Sequence, residues 1–589
     1  ALISPVGAGV GSTFGLLVVE IGTVEVESPL LSEKLTGDVV LGTPESTDPQ
    51  SGRMFRLFLV LRNRERGLLV KIFGSAVADP GSGQLTATFD ENPQLPLSDL
   101  HLEFKGGQRG MLATPQSCGA RTWSATFTPW TAEHGAGGSA VDRSGTFATS
   151  DCPVIFGPQL RAGMSNSDAA GTGTFSFDFS RQDGDQWFRG LTAKLPAGLL
   201  ASLKGVDLCT AAQAGANACP LGSQIGVVDA TAGAGTPFVL ERKGRVYLTE
   251  GYKGGEFGLA VSVPVGAGPF RGAMALSPIV VRQPNHVDRT TAQVSAVSDP
   301  LPLIHHGVPL RVRRITVDVD RRRFMRNPTD CSPKQVEADI VSAEGRTANV
   351  SAPFTVTRCA ALPFRPRLGL GLAGRGQRTT GRHPGVRAVL RQRDEAGIEK
   401  AVVRLPKSLA LDPDNAQALC EFEDGTRPDL ESHCPEGSIV GRARAVSPLL
   451  KRPLVGNVYF VKNVRRSSSG NLIRTLPMIV VALRGEISIN LRGVSSVSRG
   501  KLVNTFAAVP DAPVSRFNLN IAGGRNGILT VTRTRAGRIN ICTGKHVAEA
   551  DFDAHNGKRF DRNIRMKTPC RGFKKKRAAA NRKAAAAGH

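Results

Sequence analysis

Ten cysteines are the residues of this sequence whose type and spacing could do chemistry, as zinc ligands, free thiols or disulfides. Their spacing is periodic, since Cys118, Cys331 and Cys542 are separated by 213 and 211 residues. Structural zinc sites bring closely spaced ligand pairs such as C-x2-C, often with histidine. No C-x2-C pair occurs here, and the histidines do not recur with the cysteines. The pattern therefore favours disulfides over zinc or free thiols.

Cysteine pairing can be read from the repeat, because each complete repeat holds a close pair followed by a wider pair. Local pairing uses all ten cysteines and predicts the bridges Cys118–Cys152, Cys209–Cys219, Cys331–Cys359, Cys420–Cys434 and Cys542–Cys570. A bridge that closes about 30 residues contributes ~3–4 kcal/mol by constraining the unfolded chain. Disulfides persist in oxidising compartments. We therefore expect an extracellular or cell-surface protein whose export signal lies upstream of this sequence.

Other motifs repeat in the same register as the cysteines. The segment FDENPQLPLSDLHLEFKGGQRGML at 89–112 aligns without a gap with FAAVPDAPVSRFNLNIAGGRNGIL at 506–529. GRVYL at 244 likewise corresponds to GNVYF at 456. Self-similarity at a fixed period indicates tandem structural units. The predicted organisation is unit 1 at 1–157, truncated at its N-terminus, unit 2 at 158–363, unit 3 at 364–573, and a basic disordered tail at 574–589.

The elements that must position the cysteines have the patterns of β-strands. TFSFDF at 174 and ITVDVD at 315 alternate apolar and polar residues, which is typical of half-buried strands. The 66 glycines and 37 prolines supply turns between strands. We predict an all-β fold of tandem β-sandwich-like units, each with two β-subdomains that divide near residues 283 and 497. PAGLLASLKGVDLCTAAQA, from residue 196, predicts a helix.

Positive charge is concentrated toward the C-terminus. The net charge is +25, and residues 364–573 contain 36 basic and 17 acidic side chains. Such a surface attracts anionic polymers, although a solvated basic end would also keep the chain soluble. The junction into unit 3 carries Arg387, Arg391 and Arg393. The predicted contacts with an anionic cell-wall polymer, polysaccharide or membrane surface are Arg365, Arg367, Arg375, Arg378, Arg382, Lys574, Lys575, Lys576 and Arg577.

Two further features limit the possible partners. Proteins that bind single-stranded nucleic acid stack bases on aromatic side chains interleaved with basic ones. Because the chain has only three Trp and three Tyr, nucleic acid is a disfavoured partner. A transmembrane helix needs about 20 predominantly apolar residues. No run of that length is free of glycine or charge, so we predict no transmembrane segment.

No motif predicts catalysis, a metal or a cofactor. GLGLAG at 369 fits a dinucleotide-binding pattern, but it lies at a junction between units, with proline on both sides. Asp318 and Asp320 are surrounded by arginines and are interpreted as salt-bridged surface carboxylates. His305 and His306 have no acidic or histidine neighbour at ligand spacing. We expect a protein that is not an enzyme, with no catalytic, cofactor-binding or metal-binding residues.

The pattern LC…CPLGSQIG…GRVYL…SDPLP…NPTDC…RCAALPFRPRL, read through unit 2, resembles a group of known proteins. These are large, repetitive, secreted proteins of high-GC bacteria, built from cysteine-paired β-repeats. The resemblance extends over nearly the whole chain. It implies export and a repeat architecture, and it assigns no catalytic residue, cofactor or ligand to any position here.

The function predicted from these observations is that of a non-enzymatic structural and binding protein. Repeated units would be displayed in several copies while the basic C-terminal third attaches electrostatically to an anionic polymer. One alternative is a carbohydrate-binding or adhesive module, which predicts a shallow aromatic or polar groove recurring in successive units. A second alternative is a secreted hydrolase, which predicts a deep cleft with a Ser/His/Asp set or a carboxylate pair in one unit.

Overall fold

Antiparallel strands make up most of the chain. The structure is a computed structural model that describes residues 19–42, 55–107, 110–133, 137–240, 242–266, 276–374, 376–466, 472–534 and 537–570. The predicted all-β fold with sandwich-like units is confirmed. Within the described ranges, no helix is long and apolar enough to cross a membrane.

Unit 1 contains a six-stranded sheet and a separate hairpin. Its strands are β1 (Val19–Glu27), β2 (Leu35–Gly42), β3 (Phe55–Asn63), β4 (Leu68–Ala78), β5 (Leu85–Thr88), β6 (Asp99–Phe104), β7 (Gly119–Phe127) and β8 (Val141–Thr149). The sheet order is β5-β4-β3-β2-β1-β6, and β7 pairs with β8 in a sheet of its own. Apolar residues of β1, β2 and β3 form a small core of their own.

Unit 2 is built around one twelve-stranded sheet. Its strands are β9 (Gln159–Met164), β10 (Thr172–Gly173), β11 (Phe175–Ser180), β12 (Phe188–Lys194), β13 (Leu200–Ala201), β14 (Gln224–Ala232), β15 (Phe238–Val239), β16 (Gly244–Thr249), β17 (Phe257–Val265), β18 (Leu276–Val287), β19 (Val294–Val297), β20 (Ile304–His305), β21 (Val308–Pro309), β22 (Val312–Val319), β23 (Met325–Arg326), β24 (Lys334–Ser342) and β25 (Thr347–Phe354). The order is β25-β24-β12-β19-β18-β17-β16-β14-β22-β11-β9, with β15 beside β14. The first and last strands lie side by side, so the sheet curls on itself around an inner face.

Unit 3 repeats this architecture with an eleven-stranded sheet. Its strands are β26 (Arg367–Ala373), β27 (Gly385–Arg391), β28 (Ile398–Arg404), β29 (Leu409–Leu411), β30 (Ile439–Val446), β31 (Leu454–Arg466), β32 (Leu472–Arg484), β33 (Ile489–Ser498), β34 (Lys501–Phe506), β35 (Arg516–Ile521), β36 (Leu529–Val531), β37 (Arg533–Thr534), β38 (Gly537–Arg538), β39 (Val547–Ala554) and β40 (Arg559–Arg565). The order is β26-β27-β35-β30-β31-β32-β33-β34-β28-β39-β40. Backbone hydrogen bonds join Lys567 to Leu370 and Leu372, so this sheet also curls until its ends meet.

Helices are short and few in the described ranges. They are α1 (Trp130–Glu133), α2 (Ala211–Gly215) and α3 (Phe422–Gly425). The predicted helix from residue 196 is wrong except for α2, because Gly198 and Gly205 have φ of +87° and +79°. That left-handed conformation cannot continue a right-handed helix. The predicted splits near 283 and 497 are also wrong, since both positions lie inside strands of a continuous sheet.

The repeated glycines have a common structural reason. A Cβ added at Gly244 would lie 2.3 Å from the carbonyl oxygen of Ser262, and one added at Gly456 would lie 1.6 Å from that of Ala482. Both glycines therefore allow a strand to approach its neighbour more closely than a side chain would permit. The motifs GRVYL and GNVYF are repeated because the fold needs this close approach in each unit.

All five predicted disulfides are present and the prediction of local pairing is confirmed. The close bridges fasten a loop over the outer face of each large sheet, where Cys209 and Cys420 are fully buried. Beside the bridge of Cys331, burial tends to raise the pKa of Asp330. Hydrogen bonds from Lys334 and Ser332 outweigh that effect and lower the pKa below its ordinary value.

Units 2 and 3 share one continuous hydrophobic core. Hydrogen bonds cross the junction, where the carboxylate of Asp511 accepts from the backbone and the hydroxyl of Thr329, both at 2.6 Å. The backbone N–H of Gly397 donates to the same hydroxyl at 3.0 Å. The expectation of independent units therefore does not extend to packing. The two curled sheets meet and enclose their apolar faces together.

Candidate functional site

Six exposed arginines lie on the outer face of four adjacent strands of unit 3, in the order β26-β27-β35-β30. These strands alternate strictly, so their apolar residues point inward and the arginines point outward. No aspartate or glutamate occurs in any of the four strands. We call this surface the arginine face; its residues are Arg367, Arg387, Arg391, Arg442, Arg444 and Arg516.

Strand register places three of these arginines in one row. Arg391 is paired with Arg367 on one side and with Arg516 on the other. Neighbouring strands lie about 4.8 Å apart, so the three charges start from backbones within ~10 Å. Like charges directly opposite each other destabilise a sheet. The fold thus maintains a local concentration of positive charge that its own stability does not favour.

The basic residues elsewhere in the same sheet are neutralised. On β28, β34 and β39, Arg404 forms an ion pair with Asp551, and Lys501 forms one with Glu549. Lys400 lies 3.9 Å from Asp553. No arginine of the arginine face has such a pair with a carboxylate in the described part of the chain. The unpaired charge is therefore a property of one face and not of the whole unit.

The structure distributes the sequence-predicted contact residues over several places. Arg367 lies on the arginine face, while Arg365 and Arg382 are exposed just before β26 and β27. Arg378 is half-buried, with its Nε buried and without a hydrogen bond. Arg375 lies outside the described residues, as do Lys574, Lys575, Lys576 and Arg577.

Three arginines of the face were not among the sequence-predicted contacts. Arg442 and Arg444 lie in the alternating segment GRARAV, where the period of two already places both on one side of a strand. Arg516 opens β35 and is far from them in sequence. The alternation could have identified each strand, but not the fact that β30 lies beside β35.

A second feature is a cavity of about 520 Å³ enclosed by the inner faces of units 2 and 3. Strand β17 contributes Phe257, Leu259, Val261 and Val263, which are only half-buried because they face this space. From unit 3, the inner residues of the arginine-face strands complete the wall. No charged side chain lines the cavity; its polar lining residues are Gln283, Asn285, Ser298, Gln392, Ser447, Ser495 and Asn504.

The size of this cavity makes it unlike an ordinary packing defect. An empty cavity destabilises a fold by ~24 cal/mol per Å³, which gives about 12 kcal/mol for the 520 Å³ here. The whole stability of a domain is about 5–15 kcal/mol. An apolar lining also offers water too few hydrogen-bonding partners. A void of this size and chemistry is expected to be filled by something apolar.

The carboxylates and histidines considered in the sequence do not form a metal site. Asp318 accepts a hydrogen bond from the hydroxyl of Ser176 at 2.6 Å, in an open polar depression on the outside of unit 2, and not an ion pair as expected. His305 and His306 stack beside Ser277. Burial, followed by the charge of His306, lowers the pKa of His305. Among the described residues, no group of three potential ligands is close enough to hold a metal.

Pairs that could belong to a hydrolytic triad occur in separate places. The hydroxyl of Ser408 lies 2.9 Å from Nδ1 of His546, but the other ring nitrogen faces the carbonyl oxygen of Thr543. Both side chains are buried. His383 lies 2.8 Å from Asp412. The described residues bring no serine, histidine and carboxylate together at one point.

Exposed aromatic residues are confined to unit 1 in the described part of the chain. Trp123, Phe127 and Phe147 are about half exposed on the hairpin of β7 and β8, and Phe73 is exposed on β4. The carbohydrate-binding alternative required an aromatic or polar groove that recurs in successive units. The large aromatic side chains described in units 2 and 3 do not form one on the surface.

Comparison with known proteins adds little. No protein-family model matches the chain, and no curated protein matches it. Among solved structures, the type II cohesin dyad from the adaptor ScaA scaffoldin of Acetivibrio cellulolyticus is 8% identical. The match covers 70% of this chain and 97% of that one, with a TM-score of 0.15.

Two other solved structures are similar at the same low level. A putative membrane-anchored protein from Corynebacterium diphtheriae is 8% identical over 77% of this chain and 97% of that one, with a TM-score of 0.14. The M60 catalytic domain with two CBM51 domains of Clostridium perfringens ZmpB is 8% identical over 91% and 55%, with a TM-score of 0.10. Such scores carry no argument about function.

Proposed function

We propose that the protein is an exported, non-enzymatic binding protein that attaches to an anionic polymer through the arginine face. The observation that carries this proposal is the set of six exposed arginines without carboxylate partners, beside strands whose basic residues are all paired. The guanidinium group is planar and always charged, and it binds phosphate and carboxylate groups through two parallel hydrogen bonds.

The chemistry of the face favours a polyanion without stacked bases. Its outward residues besides the arginines are glycine, valine and asparagine, as at Gly369, Val389 and Asn520. Bases of single-stranded nucleic acid would need aromatic surfaces to stack on. A polymer of phosphate or carboxylate groups needs only the charges. Repeated weak contacts along such a polymer would give a high total affinity.

Export is supported by the use of cysteine. All ten cysteines are bonded and none is free. Disulfides of this number are typical of proteins that fold in an oxidising compartment. The arginine face would then meet the anionic polymers of a cell surface.

Salt elution from immobilised polyanions tests the proposal. The protein should bind polyphosphate and polygalacturonate in about 50 mM salt and elute before about 1 M, where the screening length falls to ~3 Å. A Trp123→Ala variant should elute at the same salt concentration, since the exposed aromatic residues are not part of the face. Failure to bind in low salt would refute the proposal. Retention at high salt with release by a neutral sugar would favour the carbohydrate-binding alternative.

A further inference from the structure

We propose that the cavity between units 2 and 3 binds one uncharged long-chain lipid, with its hydrocarbon chain against the inner sheet faces and its polar end at Gln283 and Asn285. This site is separate from the arginine face. The same strands form the wall of one and the surface of the other, on opposite sides of the sheet.

The lining identifies the apolar part of the ligand. The cavity wall is made of aliphatic and aromatic side chains from both units and includes no charged residue. Its volume of about 520 Å³ lies within the range of ~300–1,000 Å³ for pockets that hold small molecules. If a methylene group occupies about the space of a water molecule, ~30 Å³, the cavity holds roughly 17 of them. One saturated chain of about 16 carbons fits this volume.

Two amides identify the place of the polar end. Gln283 and Asn285 lie on β18 opposite Leu259 and Phe257, and they line the cavity beside those apolar residues. In the described part of the chain, neither side-chain amide has a hydrogen-bond partner in the protein. An ester or hydroxyl group could accept from one amide or donate to the other. A carboxylate would be buried without a cation, which is unfavourable.

The space is built into the sheet and not left by small residues. Along β17 the inward positions carry large residues at Phe257, Leu259, Val261 and Val263, yet all four stay half-buried. The outward residue Ala260 on the same strand is 2% exposed, because the disulfide loop of Cys209 covers it. The strand is thus closely covered outside and open inside. Side chains that could fill the space are present in size but are held apart by the curvature of the two sheets.

Displacement of a neutral fluorophore tests this inference on the full chain. N-phenyl-1-naphthylamine should bind with increased fluorescence, and 1-alkanols should displace it. Affinity should rise about fourfold for each added methylene, from burial of one group each time, up to about 16 carbons, and then level off. Hexadecanol and methyl palmitate should compete better than palmitate at pH 8. Lipid extracted from protein purified from cells should contain chains of that length.

Matched variants locate the site. Val261→Trp fills the cavity and should reduce fluorophore binding at least tenfold without lowering the thermal midpoint. Val297→Trp places the same group on the outer side of β19, outside the cavity, and should leave binding unchanged. If Val261→Trp does not fold, Gln283→Leu provides a second test. It should weaken hexadecanol about three- to tenfold, through the loss of one hydrogen bond, and leave the fluorophore unaffected.

Several outcomes would overturn the inference. They are no saturable fluorophore binding by the wild type, equal losses in Val261→Trp and Val297→Trp, or no dependence on chain length. A gain of fluorophore binding on removal of residues 1–18 would show that the chain itself occupies the cavity, and would also overturn it. Neutralising the arginine face should not change lipid binding, so failure of one proposal is distinguishable from failure of the other.

Discussion

Neutralising three arginines of the arginine face should weaken attachment to a polyanion by about two orders of magnitude. The variant is Arg391→Gln, Arg442→Gln and Arg516→Gln, chosen from three adjacent strands. Each basic residue near an anionic surface contributes about 1 kcal/mol. Three of them contribute about 3 kcal/mol, which is about a hundredfold in Kd.

The dependence of binding on salt provides an independent magnitude. Each contact between a basic residue and a flexible polyanion adds ~0.7 to the slope of log affinity against log salt concentration. Loss of three contacts should therefore reduce the slope by about 2. Titration calorimetry with polyphosphate at several salt concentrations between about 50 and 300 mM measures both the affinity and the slope.

The control variant has the same change in charge at other positions. Arg322, Arg346 and Arg499 are exposed and lie off the arginine face, and each would be replaced by glutamine. Its affinity should fall by less than about threefold. The variant of the face should also unfold at the same temperature as the wild type or slightly higher, because Arg391 and Arg516 repel each other across the strands.

Two results would refute this reasoning. Equal loss of affinity in the two variants would mean that net charge, and not the face, determines binding. A lower unfolding temperature in the face variant would mean that the arginines stabilise the fold through contacts within the protein, and that their exposure has a structural reason.

Three further predictions concern the fold. Replacing Cys420 and Cys434 by alanine opens a 14-residue loop and should lower the free energy of unfolding by about 3 kcal/mol, measured by denaturant titration against the reduced wild type. Gly456→Ala places a Cβ 1.6 Å from a backbone oxygen of β32 and should cost at least ~1–3 kcal/mol, whereas Gly369→Ala, with 3.9 Å to its nearest atom, should be tolerated. Because the folded state lowers the pKa of Asp330, this carboxylate stabilises the fold above its ordinary pKa of about 3.9 and loses that contribution as the pH falls through the lowered value. Asp330→Asn should therefore unfold more readily than the wild type at pH 7 and about equally at pH 2, in urea titrations at the two pH values. Equal stability of Asp330→Asn and the wild type at pH 7, or of Gly456→Ala and Gly369→Ala, would contradict these arguments.

The disulfides and the strand class could be predicted from the sequence because both depend on short-range or periodic information. The spacing of Cys118, Cys331 and Cys542 defined the repeat, and the repeat made local pairing the simplest solution. Alternation with a period of two assigns each residue of a strand to one side, whatever the partner strand is. The helix expected from residue 196 failed because two glycines adopt positive φ, which composition does not reveal.

Only the tertiary structure decided which strands are neighbours, and both candidate sites depend on that. Arg442 and Arg516 belong to one face because β30 pairs with β35 across some seventy residues of sequence. The cavity exists because two sheets curl until their inner faces meet, which no single strand encodes. Side-chain alternation is a local property of the backbone, whereas strand order and curvature result from long-range packing. The sequence alone therefore determined what each strand would present to either side, and the fold determined what those sides would together become.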